Sequence, residues 1–231
     1  MSDTDSVAPK RYFLGMTGGS GHAYAERLLV ELLRAGHMVD LSITEAGAKV
    51  LRHERGIDGG RRGETLAAAL PAWLQAFGIG ALELSRVRVF ESDQVEAPAA
   101  SGTSLTGGVI ISPCSMGTLA RVTAGFSSNL VERAADVALK EGRTLMLMPR
   151  ETPLSEIHLE NMLRAVRLGA IVLPCMPGFY HLPTTLDELV GHVVGKAMDR
   201  LGIPQSVGAR WEGFEEPAGD PGTSKPQGED A

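Results

Sequence analysis

The sequence predicts an α/β fold: a Rossmann-like (flavodoxin-like), doubly wound, mostly parallel sheet with helices on both faces. Three observations predict it. Apolar runs at Gly108–Ser112 and Thr144–Met148 read as strands buried on both faces, as parallel sheets require. Between such runs lie longer stretches with apolar residues three and four apart, the helical period. The first run, Tyr12–Met16, ends in the glycine cluster Thr17–Gly21 and passes straight into a helical pattern, the opening of a βαβ unit. The 231 residues are 43% hydrophobic and 22% charged, enough to fill such a core and too apolar for global disorder.

The elements follow in order. His22–Arg34 carries Ala25, Leu28, Leu29 and Leu32 on one side, a helix stopped at Gly36. Met38–Thr44 alternates as a strand does. Residues 55–64 read as a flexible loop, Thr65–Phe77 as a helix, Val87–Glu91 as a short strand and Pro98–Thr106 as a loop of small residues. The strand at Gly108–Ser112 leads through Pro113–Thr118 into a short helix, and Asn129–Glu141 forms another. The strand at Thr144–Met148 ends at Pro149-Arg150-Glu151. Ser155 caps a helix that runs to Leu168. Ala170–Leu173 is a strand and Thr185–Leu201 the last helix. One domain is expected over residues 11–211, between a flexible start at 1–10 and a tail at 212–231. That tail sets six acids against the single Lys225, and its Pro, Gly and acidic content predicts disorder.

Composition excludes several classes. The net charge of −6 falls almost wholly in the tail, so the body offers no electrostatic footprint for nucleic acid. No apolar run reaches the ~18 residues of a membrane span, and residues 1–10 lack a secretory apolar stretch. Cys114 and Cys175 make no disulfide framework, and both read as small packing residues. A cytoplasmic protein is expected. The six histidines lack metal-ligand spacing. His158 and His192 read as helix-surface or partner-satisfied residues, and His22 as a first-turn residue.

In sheets of this kind ligands bind beyond the strand C-termini. Thr17–Gly21, Thr44, Ser112–Thr118, Arg150–Glu151 and Tyr180 fall there. The glycine cluster reads either as a tight turn or as an anion cradle at a helix N-terminus. It is not G-x-G-x-x-G, and the second strand ends in Thr44-Glu45 with Asp40 in mid-strand. Both features weigh against NAD and leave a mononucleotide such as FMN. Ser115, Gly117 and Thr118 offer a second set of small donors. Arg133, Asp136 and Lys140 share one helix face, a stripe that reads as solvated ion pairs or as an anion-binding face, with Ala134 and Ala138 on the core side. The charged pair Arg150-Glu151, directly after a buried strand, points to function.

Met16–Gly21, Ser115–Thr118, Asn129–Lys140, Pro149–Leu154, Ile157–Met162 and Pro177–Tyr180, in that order, resemble the UbiX family of flavin prenyltransferases across residues 11–211. The resemblance implies a subunit of a homo-dodecamer. It implies transfer of a dimethylallyl group from dimethylallyl monophosphate to N5 and C6 of reduced FMN, without metal, giving prenylated FMN for UbiD-type decarboxylases. It places Gly18, Gly19, Ser20, Thr44, Ser115, Met116, Gly117, Thr118 and Arg150 against FMN. It places Arg133, Lys140, Arg150, Tyr180 and Lys196 around the prenyl phosphate, with Trp211 covering the site. Glu151, Lys140, Ser20 and Glu54, the last in a helix after the second strand, would take part in catalysis, Glu151 as general acid to the leaving phosphate. Gly19 stands where Ala is common, and Lys196 where some members carry Arg, which keeps the charge but not the bidentate fork. Two other readings are weighed. A flavin-dependent cysteine decarboxylase of related fold would need a catalytic His beside the flavin and an Asn-bearing motif where this chain reads Pro149-Arg-Glu-Thr-Pro. A non-catalytic FMN carrier would not need Lys140, Glu151 and Tyr180 together.

Overall fold

Alternation along the first strand sets up the layers. In β1 (Arg11–Met16), Tyr12, Leu14 and Met16 enter one apolar layer and Phe13 the other, the period of two that a pleated strand imposes. β1 pairs in parallel with β2 (Met38–Ile43) on one side and β4 (Gly108–Cys114) on the other. β3 (Val87–Phe90) extends the sheet beyond β2, and β5 (Leu145–Pro149) and β6 (Ile171–Val172) beyond β4. The order is therefore 3-2-1-4-5-6, that of two mononucleotide-binding halves meeting between β1 and β4. This computed structural model describes residues 8–104 and 107–208.

The helices divide between the two faces. α1 (His22–Arg34), α2 (Glu45–Arg55), α3 (Leu66–Gln75) and α8 (Leu186–Arg200) bury Leu28, Leu51, Trp73 and Val194 against the Tyr12 face. A short helix, α4 (Ala81–Leu84), follows α3. α5 (Met116–Thr123), α6 (Leu130–Lys140) and α7 (Glu156–Arg167) bury Leu119, Val131, Ala134, Ala138 and Ala165 against the Phe13 face. Thr44, Ser115, Asn129, Ser155 and Thr185 cap α2, α5, α6, α7 and α8. Each side-chain oxygen accepts a backbone N–H three residues on, satisfying a donor that the helix cannot.

Local details add to the sequence reading. The loop expected at 55–64 is preceded by a full helix, α2, which reaches Arg55. Its buried face holds Gly47, Ala48 and Leu51, small residues that give its helical period little apolar bulk. α4 is too short to carry one. The small-residue loop holds a 3-10 turn at Pro98–Ala100, and its residues 105 and 106 lie outside the described residues, as do Trp211 and the acidic tail. Asp40 is buried between Arg11 and Arg88, at 2.8 and 2.7 Å. That mid-strand acid is a structural partner and not a ribose ligand.

Candidate active site

The loops that meet at the β1/β4 crossover are tied by one threonine. Thr17 Oγ1 donates to the Pro113 carbonyl at 2.7 Å and accepts the Ser115 amide at 2.8 Å. The side chain is fully buried, so the bonds replace water with nothing left over. They hold the glycine loop against the start of α5. A Cβ on Gly18 would lie 2.8 Å from that of Ala46, whereas one on Gly19 would meet Pro113 at 3.4 Å. Gly18 is thus required by close packing, while Gly19 has room for the Ala common in the family. Gly21 takes φ 109°, which L side chains disfavour. Arg150, following β5, donates from Nε to the Ser20 carbonyl at 3.1 Å. Ser20, Arg150 and the adjoining Glu151 therefore sit together beyond the strand C-termini, with Thr44 and Ser115 heading α2 and α5, at the crossover where sheets of this order bind ligands in a cleft.

The first helix N-terminus is not open to an anion. Glu54 of α2 accepts the Gly21 amide at 3.1 Å and the His22 amide at 2.9 Å, taking the position an external anion would hold. Burial pushes the Glu54 carboxyl up, but the Ser20 hydroxyl and the two amides outweigh it and hold it below the ordinary carboxylate value. His22 is fully buried, and neither ring nitrogen has a hydrogen-bond partner among the described residues. Burial lowers its pKa to about 4, against the raising influence of Glu54 and the Thr17 backbone. By contrast α5 keeps its first-turn amides at Met116 and Gly117 without an intrahelical acceptor to use. Only the Arg121 guanidinium, 3.8 Å from where a Gly117 side chain would begin, crowds that turn.

Within one chain, Lys140 lies away from this cleft. Arg133 and Lys140 lie on one face of α6, and Ala134 and Ala138 are buried on the other. Arg133 pairs with Asp136 at 3.0 Å and Lys140 with Glu141 at 3.5 Å. Lys140 closes α6 at the end of the sheet where β4 and β5 begin, since Thr144 already accepts from the Val109 amide. Arg150 follows the far end of β5, a strand's length of ~15 Å away. Lys196 and His192, the partner of Tyr180, lie on one face of α8. Lys196 lines a cleft of about 630 Å³ with Val166, Ile171, Leu173, Asp199 and Arg200. Tyr180 Oη lies 2.8 Å from His192 Nε2. His192, read from the sequence as helix-surface or partner-satisfied, is buried and bonded. Its spacing of four from Lys196 was the available signal. The thiols of Cys114 and Cys175 are pushed up by burial, that of Cys175 to about 12, so both remain packing residues.

A family model described as Flavoprotein matches residues 2–197. The flavin prenyltransferase UbiX of Halalkalibacterium halodurans is 47% identical over 200 residues, covering 87% of this chain and 92% of that one. The chain belongs to the UbiX family of flavin prenyltransferases. Among solved structures, AnUbiX in complex with FMN and dimethylallyl pyrophosphate aligns with a TM-score of 0.76 at 32% identity, covering 90% of this chain and 100% of the other. A dodecameric FMN-dependent UbiX-like decarboxylase from Escherichia coli aligns with a TM-score of 0.72 at 35% identity, over 88% of this chain and 100% of the other. In this UbiX-family chain, Thr44 and Ser115 cap α2 and α5 at the β1/β4 crossover, and Arg150 bonds the Ser20 carbonyl beside them.

Proposed function

We propose that this chain joins a dimethylallyl group from dimethylallyl monophosphate to N5 and C6 of reduced FMN. The observation that carries the reading is the Arg150–Ser20 bond, which sets Glu151 and Ser20 on the rim of a cleft lined by phosphate- and flavin-type donors. Its support is the close likeness to UbiX enzymes along the whole sheet. Gly18, Gly19, Ser20, Thr44, Ser115, Met116, Gly117, Thr118 and Arg150 hold the flavin, which supplies the nucleophilic N5 and C6 when bound. Arg133, Lys140, Tyr180 and Lys196, with Arg150, hold the prenyl phosphate.

Breaking the allylic C–O bond leaves charge on the phosphate, and fixed cations stabilise that charge most where water is excluded. Glu151 delivers a proton to the leaving phosphate. Glu54 holds the Ser20 loop by its amides and keeps the Ser20 hydroxyl oriented. Because Lys140 stands at the opposite end of the sheet from Arg150, the phosphate cations come from more than one copy of the chain. The assembly is a closed homo-oligomer, dodecameric like the E. coli relative, and the prenylated FMN passes to a UbiD-type decarboxylase. A cysteine decarboxylase or an inert FMN carrier would leave the flavin mass unchanged. Incubating the protein with reduced FMN and dimethylallyl monophosphate should add one dimethylallyl unit to the flavin by mass spectrometry, and an unaltered flavin would refute the reading.

A further inference from the structure

The segment Pro177–Pro183 folds back on α8 through one imidazole. The Gly178 amide donates to His192 Nδ1 at 2.9 Å, and the Tyr180 hydroxyl lies 2.8 Å from Nε2. A backbone N–H can only donate, so Nδ1 is the acceptor and carries no proton. Neutral imidazole then bears its proton on Nε2, and Nε2–H donates to the Tyr180 oxygen. Were the direction reversed, Tyr180 would use its single hydrogen on His192 and present only lone pairs elsewhere, which repel a phosphate oxygen.

We propose that His192 is a positioning residue for phosphate capture: its Nε2–H donates to Tyr180 Oη and so turns the Tyr180 hydrogen away from the imidazole, toward a phosphate oxygen. The inference rests on the prenyl-phosphate reading above. The surroundings keep the ring neutral. Burial lowers the His192 pKa, and His181 and Lys196 lower it further. The His181 ring sits 4.9 Å from that of His192, and the Tyr180 ring 5.3 Å, edge-on. Space is tight around the contact, since a Cβ on Gly178 would lie 2.9 Å from His192 Cε1. The Gly178 amide therefore cannot move off Nδ1 without moving the backbone. Lys196, one turn further along α8, adds its charge on the same helix face.

Two substitutions separate the two halves of the imidazole. Asn places its carbonyl where Nδ1 stands, keeping the Gly178 acceptor and losing the donor to Tyr180. Gln places an N–H near Nε2, keeping the donor. Binding of dimethylallyl monophosphate to protein loaded with oxidised FMN, which does not turn over, is read by calorimetry. Tyr180→Phe should weaken it about tenfold or more, and His192→Asn as much, while His192→Gln should stay within about threefold of the parent. The double variant Tyr180→Phe/His192→Asn should bind no more weakly than Tyr180→Phe, because the second change removes a group acting through the first. In turnover the effect should fall on KM, with kcat retained at saturating monophosphate. Unchanged FMN affinity reports an intact fold. Parent-like binding by His192→Asn, or a double variant whose loss is the sum of the single losses, overturns the inference. So would solid-state ¹⁵N spectra of histidine-labelled protein, with no substitution, that show His192 protonated on Nδ1. Product formation by the parent protein decides the underlying reading separately, since the binding pattern needs no reaction.

Discussion

Two carboxylates border the Ser20 loop and differ in what they touch. Glu54 accepts two backbone amides, while Glu151 is half-buried and accepts the Thr152 amide at 3.1 Å. On the function proposed above, Glu151 is the one that delivers a proton. Glu151→Gln should keep FMN bound and slow prenyl transfer by about 10²–10⁴-fold, in single-turnover assays, with no rescue at high dimethylallyl monophosphate. Lys140→Ala should be partly rescued, because its loss acts through binding. A parent-like single-turnover rate for Glu151→Gln would make that residue a partner of the cations and nothing more. His22 carries a second expectation. Its pKa falls from 6.5 to about 4 on folding, so the unfolded chain takes up the proton first. Its contribution is intact above 6.5 and is lost as pH falls toward 4. Between pH 7.5 and 5 that loss is about 2 kcal/mol, and urea unfolding of His22→Met should show a correspondingly flatter profile. Arg150 and Glu151 were legible in the sequence because they directly follow a buried strand, where sheets of this kind bind ligands. The capping role of Glu54 was not, because its partners lie 33 and 32 positions back and only the fold brings them together.

At the scale of elements, α2 and α5 begin with side-chain caps beside the cleft, and α2 is closely seated. α2 approaches β1 so nearly that a Cβ on Gly47 would stand 2.8 Å from the Met16 carbonyl oxygen and 3.0 Å from Ile43 Cγ1. Backbone cannot yield as a side chain does. Gly47→Ala should therefore cost net stability of about 1 kcal/mol or more, the overpacking exceeding the ~1 kcal/mol that Ala gains in a helix. A lowered urea midpoint would report it, and an unchanged or raised one would show that α2 can retreat. The parallel strands were legible because burial on both faces makes them uniformly apolar, as in Gly108–Cys114, buried throughout. α2 was legible only through the resemblance that places Glu54 in a helix after the second strand, since its buried face of Gly47, Ala48 and Leu51 carries little apolar bulk. The same close approach sets Thr44 at the cleft, its amide bonded to Met16 O at 2.9 Å.

Across the whole molecule, α7 is incompletely covered. Ala165 is its buried residue, while Ile157, Leu163 and Val166 are 66%, 50% and 54% exposed. Another copy of the chain would remove that apolar surface from water, and light scattering at micromolar concentration should give a mass well above 24.5 kDa. No helix among the described residues is long and apolar enough to cross a membrane. The separation of Lys140 from Glu151 along β5 has a consequence for inheritance. Subunits bearing Lys140→Ala still carry a sound Glu151, and subunits bearing Glu151→Gln a sound Lys140. If equal amounts are dissociated and reassembled, about one site in four combines the two sound parts, and at a dimethylallyl monophosphate concentration too low to rescue Lys140→Ala, activity should return to roughly that fraction from two strongly impaired stocks. A chain that built its whole site alone would recover none. Two alleles that are each strongly impaired by themselves would then complement one another in the same cell.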